Sequence, residues 1–351
     1  MIAFILKRLW YGFLVLLGVV LIVFFLFKIV PGDPARLTMG QRADVATLEA
    51  INKEMGLDRP LHIQFFLYMN DLSPLSWHDD DPDELEKYSH ISLISLGESV
   101  VVLKYPYLRR SYQSQRKVSA ILLEAFPGTV ILALTALFFA SIFGIIFGVF
   151  AALYKHSWQD GSLMVLAILG ISAPSFFAAI IIAWLFGYVW SDYTGLSMHG
   201  SLYRVDPFDG RVLELKNLIL PALTLGIRPL AIITQLTRSS MLDVMSQDYI
   251  RTAKSKGLSK NTIVFKHALK NAMNPVITAV SGWLASLLAG AFFVELIFDW
   301  HGIGKVTLDA LFVSDFPVVM GAVLFFALIF VLINIVVDIL YGVVDPRARI
   351  S

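Results

Sequence analysis

Residues Asp248 to Pro275 read DYIRTAKSKGLSKNTIVFKHALKNAMNP, a polar and basic segment that lies between two long apolar blocks. From Arg238 to Asn274 the chain has seven basic and two acidic residues, a net charge of +5. A short basic segment between two membrane spans is expected in the cytoplasm, because lysine and arginine are enriched in cytoplasmic loops. We name residues Asp248–Pro275 the basic segment.

The basic segment has the spacing of two short helices. Tyr249, Ile250 and Ala253 recur at helical spacing, Gly257 is a stop signal, and Asn261 or Thr262 could cap a second helix. Two such amphipathic helices could lie flat on lipid or dock into a groove on a soluble partner. The spacing alone favours neither alternative.

The basic segment resembles the cytoplasmic signature loop of the membrane subunits of ABC importers. In that loop Glu-Ala-Ala, three residues and a glycine form the coupling helix that contacts the ATPase. The matching positions here are Arg251, Thr252, Ala253 and Gly257, with Asn274 and Pro275 at the far end, so the leading Glu and the first Ala are absent. The variant Asp-Tyr-Ile-Arg-Thr-Ala-Lys-x-Lys-Gly-Leu-Ser is similar to the dipeptide, oligopeptide and nickel branch of these permeases. The ATPase-coupling residues that the resemblance implies are Tyr249, Arg251, Thr252, Ala253, Lys254, Lys256 and Gly257.

The resemblance also implies an architecture and a set of partners. The fold would be all-α and integral to the membrane, with six transmembrane helices, a cytoplasmic coupling helix, cytoplasmic N- and C-termini and a long outer loop after the first helix. The implied partners are a homologous second permease subunit, two cytoplasmic ATPase subunits, an extracytoplasmic substrate-binding protein and membrane lipid. The implied location is the inner membrane of a bacterium, and the cargo would be a dipeptide, an oligopeptide, nickel or a related small solute.

Composition indicates a membrane protein independently of any resemblance. The chain has 351 residues, of which 57% are hydrophobic and 16% are charged, whereas about 25% of the residues of soluble domains are charged. The formal net charge of +1 gives no indication of a nucleic-acid partner, and the absence of cysteine excludes disulfides and thiolate metal sites. Gly302-Ile303-Gly304-Lys305 lacks the upstream glycine of a Walker A motif, so we expect neither ATP binding by that route nor a cofactor.

Six stretches of the chain are predicted to cross the bilayer, which takes about 20 apolar residues. They are Leu9–Phe27, Val118–Tyr154, Leu163–Trp190, Leu218–Leu242, Val276–Phe298 and Phe316–Val344. The first stretch exceeds the apolar core of a cleaved signal peptide, about 7 to 15 residues, so we expect it to be retained. The predicted segments are a first transmembrane helix at 1–30, an outer loop region at 31–117 and a five-helix core at 118–351 that includes the coupling loop at 246–274.

The outer loop region contains a segment that is longer than the family's pattern and an acidic run. The extra length lies from about Leu72 to Leu103. The acidic run, Trp77–Glu86, reads WHDDDPDELE, and its clustered carboxylates could bind calcium or form a solvated face. Because the run lacks the glycine and the distal glutamate of an EF-hand loop, we expect a solvated face and no metal site.

Three charged residues in or beside the predicted spans are candidates for the transport pathway: Arg228, Glu295 and Asp299. A charge inside a span costs roughly 2.5 to 3.5 kcal/mol on insertion scales, and its presence therefore suggests a function. Arg228 could instead extend its guanidinium to the outer headgroups. Glu295 and Asp299 could instead cap a turn.

Three local patterns predict how the spans contact each other. Gly144 and Gly148 have the small-xxx-small spacing that lets helix backbones approach closely. Pro174 predicts a kink in the third span, which either frees carbonyl groups for the pathway or serves packing alone. Asn334 and Asp338 lie one turn apart and could hydrogen-bond to a neighbouring helix.

The function predicted from these observations is that of a non-catalytic permease subunit of an ATP-driven importer. The alternative is a self-sufficient channel or secondary transporter, in which Arg228, Glu295 and Asp338 would couple transport to ions. An intramembrane enzyme is the weakest alternative, because the sequence contains neither a Gly-x-Ser-x-Gly nucleophile nor a His-Glu-x-x-His metal motif.

Overall fold

The structure is a computed structural model, and it describes residues 2–29, 58–79, 85, 87–88, 90–97, 99–206, 208 and 210–344. Most of these residues are helical. The helices are α1 (Ile2–Ile29), α2 (Leu61–Leu72), α3 (Val118–Leu153), α4 (Trp158–Ser172), α5 (Ser175–Trp184), α6 (Ser191–Thr194), α7 (Lys216–Met245), α8 (Asp248–Ser255), α9 (Lys260–Thr262), α10 (Leu269–Gly290), α11 (Phe292–Ile297), α12 (Ile303–Phe312) and α13 (Phe316–Val344). The strands are β1 (Leu75–Asp79), β2 (His90–Leu96), β3 (Ser99–Lys104), β4 (Tyr203–Asp206) and β5 (Gly210–Leu213). Two π-helical stretches, Leu185–Val189 and Ile263–Ala268, continue α5 and α9.

Four helices in the described part of the chain are long and apolar enough to cross a membrane: α1, α3, α7 and α13. The pair α4 and α5, with its π-helical continuation, is a fifth candidate and is bent by 110° at its break. The predicted kink at Pro174 is thus confirmed as a sharp bend. The predicted fifth span corresponds to α10, which has 22 residues and ends at Gly290 rather than at Phe298. Because α10 is not among the candidate spans, the count of six stays a prediction.

Prolines inside the long helices do not end them. Pro127 lies within α3, Pro221 and Pro229 lie within α7, and Pro275 lies within α10. Neighbouring helices and hydroxyl side chains can satisfy the carbonyl groups that a proline frees in a membrane helix. The 36 residues of α3 correspond to about 54 Å of helix, against a hydrocarbon core of about 30 Å. We therefore expect α3 to extend beyond the hydrocarbon core.

The chain packs into two compact units. The first consists of Met1–Phe13, Ala125–Val306 and Leu328–Ser351, and the second of Leu14–Glu124 and Thr307–Ala327. In the first unit α7 is central, since it packs against α4, α5 and α10. In the second unit α1 and α2 pack through aromatic contacts, for example between Phe24 and Phe65. The predicted segments 1–30, 31–117 and 118–351 remain predictions.

The second unit contains an antiparallel sheet that sequence analysis does not predict. Its strand order is β1-β3-β2, and it occupies most of the segment from Leu72 to Leu103. Its buried face includes Val100 and Val102, which pack with Leu85. A separate two-stranded sheet of β4 and β5 lies in the first unit. The predicted all-α class is therefore too narrow, because the described residues are mostly helical but also form two small sheets.

Several predicted features lie outside the described residues. They include most of the acidic run, since Asp79 ends β1 and residues 80–84 and 86 are not described, and also the predicted cytoplasmic C-terminus beyond Val344. Among the residues that are described, no group of three or more His, Asp or Glu side chains could hold a metal ion.

Candidate coupling site and pathway residues

The predicted coupling helix is α8, and local sequence sets its end. Gly257 follows the helix with a φ of 74°, a left-handed conformation that glycine adopts without steric cost. The amide of Gly257 donates to the Lys254 carbonyl at 3.0 Å and that of Leu258 donates to the Ala253 carbonyl at 3.3 Å. These two bonds form a Schellman motif, which satisfies carbonyl groups at the helix end. The predicted stop at Gly257 is confirmed.

The helix after Gly257 begins earlier than predicted. Its cap is Ser259, whose hydroxyl accepts a hydrogen bond from the Thr262 amide at 3.3 Å. The predicted cap at Asn261 or Thr262 is therefore wrong, because both residues already lie inside α9. This helix continues through its π-helical stretch into α10, so the second helix of the basic segment is the start of a long helix.

The apolar side of α8 is buried within the first unit. Ile250 is fully buried and Ala253 is nearly so. They belong to a cluster whose other buried members come from α3, α7 and the stretch from Ile263 into α10: Val149, Ala152, Met241, Ile263, Val264, Ala268 and Ala272. The hydroxyl of Tyr249 also accepts a hydrogen bond from the Asn271 side chain at 2.9 Å. The position of α8 is thus fixed against three other helical segments.

The other predicted coupling residues are exposed: Arg251, Thr252, Lys254, Lys256 and Gly257. Arg251 lies 3.6 Å from Asp248, but both side chains are well exposed, so this pair adds little stability. Because Ile250 and Ala253 already pack inside the protein, α8 keeps no apolar stripe with which to enter lipid. Of the two alternatives, docking onto a partner fits this geometry better.

One basic residue near the basic segment is not part of the exposed cationic surface. Nε and Nη2 of Arg238 donate to the two carboxylate oxygens of Asp160 at 2.6 and 2.7 Å. Asp160 is 4% exposed and also accepts a hydrogen bond from the His156 amide at 3.0 Å. This bidentate pair could not be predicted from the sequence, because no local pattern links residues that are 78 positions apart. The exposed positive charge comes from six other residues: Arg251, Lys254, Lys256, Lys260, Lys266 and Lys270.

The pathway candidate Glu295 lies on α11 and is fully buried. Its carboxyl group accepts hydrogen bonds from the Thr129 hydroxyl at 2.7 Å and from the Lys305 amide at 3.0 Å. The Thr129 hydroxyl in turn accepts from the amide of Ile303, the first residue of α12, at 2.9 Å. A Cβ atom at Gly302 would collide with the Glu295 carboxyl group. These contacts favour the capping role, with Glu295 holding the first turn of α12.

The candidates Asp299 and Arg228 have different surroundings. Asp299 has a φ of 53°, and its carboxylate, which is 64% exposed, lies 3.3 Å from the ammonium of Lys305. Arg228 is exposed on α7, and its Nη2 donates to the Ile171 carbonyl at 3.4 Å. Lys305 therefore brings Glu295 and Asp299 together, but no hydrogen bond or ion pair within the described residues joins Arg228 to either of them.

The polar residues of α13 also find partners in the first unit. Asp338 forms an ion pair with Arg8 of α1 at 3.2 Å, so the predicted contact of Asp338 with a neighbouring helix is confirmed. Asn334 instead donates to the Phe330 carbonyl of its own helix at 2.7 Å.

Comparison with known proteins assigns the chain to a family. The model of the binding-protein-dependent transport system inner membrane component matches residues 144–350, and the model of the N-terminal part of such membrane components matches residues 1–76. The glutathione transport system permease protein of Salmonella paratyphi A is 35% identical over 349 residues. The di/tripeptide transport system permease protein of Pseudomonas aeruginosa is 37% identical over 368 residues. A putative peptide transport system permease protein of Brucella abortus is 39% identical over 350 residues. Each of these alignments covers 99% of both chains.

A solved structure shares the fold. It is an inward-facing conformation of the MetNI methionine ABC transporter, which is similar with a TM-score of 0.52 and 16% sequence identity. The match covers 65% of this chain and 97% of the other.

Proposed function

We propose a function from the premise that this chain belongs to the family of binding-protein-dependent transport system inner membrane components. The chain is a multi-pass membrane permease subunit of an ABC importer, and its proposed cargo is a short peptide. The names of three similar proteins support this cargo, since they refer to transport of glutathione, di- and tripeptides, and peptides.

The proposed assembly contains two permease subunits, this chain and a homologue, with two cytoplasmic ATPases and an extracytoplasmic substrate-binding protein. In this assembly the chain crosses the inner membrane six times, with both termini and α8 in the cytoplasm. It binds no cofactor and catalyses no reaction, because the ATPase subunits hydrolyse the ATP.

The observation that carries the proposal is the two-sided character of α8. Its inner side, with Ile250 and Ala253, is buried against α3, α7 and the start of α10, whereas Arg251, Lys254 and Lys256 point outward. A partner that binds the outer side and moves with ATP must displace the helices packed on the inner side. Transport requires that the contacts of α8 with the ATPase differ between the inward-facing and outward-facing states.

The test is retention of the ATPase on the purified permease pair, with matched charge reversals. We expect Lys254→Glu and Lys256→Glu each to reduce ATPase retention roughly tenfold, a change of ~1.4 kcal/mol in binding. Lys155→Glu is the control, because Lys155 is also exposed and basic but lies outside α8. Equal retention in all three variants would contradict the docking role of α8.

The backbone at Gly257 provides a second comparison. Gly257→Asn should retain the ATPase, because asparagine tolerates a positive φ, whereas Gly257→Pro should lose it, because proline fixes φ near −65°. Peptide uptake by the assembly in vesicles should require ATP. Uptake by the purified chain without ATPase subunits would instead support the secondary transporter.

A further inference from the structure

The helices α4 and α7 run antiparallel in the first unit, and two arginines of α7 contact the two ends of α4. At one end Arg238 holds the Asp160 carboxylate in two hydrogen bonds. At the other end Arg228 donates to the Ile171 carbonyl. The two arginines lie ten residues apart, about 15 Å along α7, and their partners on α4 are separated by nearly the same length of helix.

Close packing joins the two helices between these ends. A Cβ atom at Gly170 of α4 would lie 2.9 Å from a side-chain carbon of Ile227 and 3.4 Å from Cβ of Ala231, both on α7. The contact at Asp160 is the strongest of the three, because its carboxylate is buried and its two hydrogen bonds to Arg238 are short. Separating the helices there would leave a buried carboxylate without its partner, which is strongly unfavourable.

The apolar cluster that holds the coupling helix α8 includes buried residues of α7 but none of α4. Met241 of α7 and Ile250 of α8 are both fully buried members of this cluster. Arg238 lies one turn before Met241 on α7. The contact of Arg238 with Asp160 on α4 therefore lies next to the cluster that receives the movement of α8.

After α4 the chain bends into α5, which packs against α11, the helix that carries Glu295. The helix α5 contributes Ala179, Ile182 and Ala183 to a core cluster that also contains Val294 of α11. The rings of Phe176 on α5 and Phe293 on α11 lie 6.2 Å apart. A displacement of α4 would consequently be passed to α11, next to the candidates Glu295 and Asp299.

We propose that the Asp160–Arg238 pair makes α4 follow α7 when α8 is displaced, so that the two helices move as one body during transport. The inference rests on the proposed function of the chain. Asp160 and Arg238 are positioning residues in this mechanism, since they act through α4 and need not touch the cargo.

The first test measures peptide transported per ATP hydrolysed in the complete assembly in vesicles. We expect Arg238→Met to lower this ratio at least fivefold while ATP hydrolysis continues, and Arg238→Lys to recover most of it, because lysine restores the charge. A purely structural role would reduce transport and hydrolysis together and leave the ratio unchanged. An unchanged ratio in Arg238→Met therefore overturns the proposal, whatever the total activity.

The second test uses a variant that keeps Arg238, so it applies even if Arg238→Met fails to assemble. The chain contains no cysteine, so Gly170→Cys combined with Ala231→Cys creates a single possible disulfide within it. The separation of 3.4 Å between the two Cβ positions is close to the value of about 3.5 to 4.5 Å found in disulfides. If α4 and α7 move as one body, the oxidised protein should transport as fast as the reduced protein. Loss of transport on oxidation with recovery on reduction would show that the helices must slide past each other, and would overturn the proposal.

These outcomes are distinguishable from a failure of the proposed function. That failure would appear in the assembly without substitutions, as uptake that does not depend on ATP. Both tests compare variants with an unsubstituted assembly that transports peptide, so they report only on the coupling of α4 to α7.

Discussion

At the scale of single residues, Glu295 has the environment of a structural carboxyl group. We expect Glu295→Gln to destabilise the protein by about 1–3 kcal/mol. The Thr129 hydroxyl and the Lys305 amide each donate to a separate oxygen of Glu295, whereas glutamine has a single side-chain oxygen. Thermal unfolding of the purified assembly in detergent measures this difference. Asp299→Asn is the control, since the Asp299 carboxylate is 64% exposed. Equal melting temperatures for the two variants would contradict the capping role and favour a role of Glu295 in the pathway.

Lys104 in the sheet of the second unit predicts a dependence of stability on pH. The residue is 4% exposed, and its ammonium lies 3.6 Å from the ring centroid of Tyr88. Burial lowers the pKa of Lys104 to about 8, partly offset by the negative charge of Asp71. Between this value and the pKa of about 10.4 for a free lysine, the unfolded state holds more protons than the folded state. The free energy of unfolding must therefore rise as pH increases through this range.

Hydrogen exchange of the β3 amides, corrected for intrinsic rates, measures this effect. Protection of β3 should be greater at about pH 9.5 than at about pH 7.5 in the unsubstituted protein. At the higher pH, Lys104 is deprotonated in most of the folded molecules. In Lys104→Met the difference should largely disappear, since methionine fills similar space without a charge. An equal pH dependence in both proteins would show that another group is responsible.

At the scale of helices, the glycines of α3 determine how closely it approaches α7. A Cβ atom at Gly144 would lie 2.8 Å from a side-chain carbon of Ile233, and one at Gly148 would lie 2.7 Å from the Thr234 carbonyl oxygen. The close approach predicted from the small-xxx-small spacing is confirmed. We expect Gly148→Ala to lower the free energy of unfolding by about 1–3 kcal/mol, the usual cost of overpacking.

A glycine of α10 provides the matched control for this prediction. A Cβ atom at Gly282 would meet no atom within 4 Å, so Gly282→Ala should be neutral or stabilising by about 0.5–1 kcal/mol through its helix propensity. Thermal unfolding of the two variants side by side distinguishes packing from propensity. If Gly148→Ala melts at the same temperature as Gly282→Ala, the helices are not in the close contact described.

The elements of this chain differ in how far the sequence determines them. Long apolar stretches predict α1, α3, α7 and α13, and the spacing of Ile250 and Ala253 predicts α8, because helix formation depends mainly on local periodicity. Local periodicity does not predict the sheet of the second unit. Its strands bury His78 and Lys104 and expose Trp77 and Ile91, so the usual assignment of apolar residues to the inside fails.

Contacts between distant residues were the part of the candidate site that could not be predicted. Asp160 and Arg238 are 78 residues apart, and Thr129 and Glu295 are 166 apart. No local pattern links either pair, so only the packing of the helices brings them together. The residues of α8 were predictable because a single helix contains nearly all of them.

At the scale of the whole molecule, two ion pairs join long helices to neighbouring helices within the described residues. Arg8 pairs with Asp338, and Arg238 pairs with Asp160. In the alternative of a secondary transporter, Asp338 and Glu295 would couple transport to ions. Asp338 instead forms an ion pair with Arg8, and Glu295 accepts hydrogen bonds from Thr129 and from the Lys305 amide. This arrangement agrees better with the proposed importer than with an ion-coupled transporter.

The path of the bent pair α4–α5 decides the topology of the first unit. The start of α4 is held at Arg238, near the C-terminal end of α7. The loop after α5 returns to the other end of α7, where the Asn217 side chain donates to the Ser201 carbonyl at 3.0 Å. The 21 residues between Asn217 and Arg238 span about 32 Å of helix, close to the hydrocarbon thickness of about 30 Å. We therefore expect the pair to begin and end on opposite sides of the membrane, despite its bend of 110°.

Labelling of single cysteines tests this crossing in intact cells, because the parent chain contains no cysteine and gives no background. Trp158, at the start of α4, is 78% exposed, and Phe208, between β4 and β5, is 96% exposed. We expect an impermeant maleimide to label Phe208→Cys from outside, but to label Trp158→Cys only after permeabilisation. Lys256→Cys provides the reference for the cytoplasmic side and should behave as Trp158→Cys does. Labelling of both Trp158→Cys and Phe208→Cys from the same side would mean that α4 and α5 form a re-entrant loop, and the number of crossings would then fall to five.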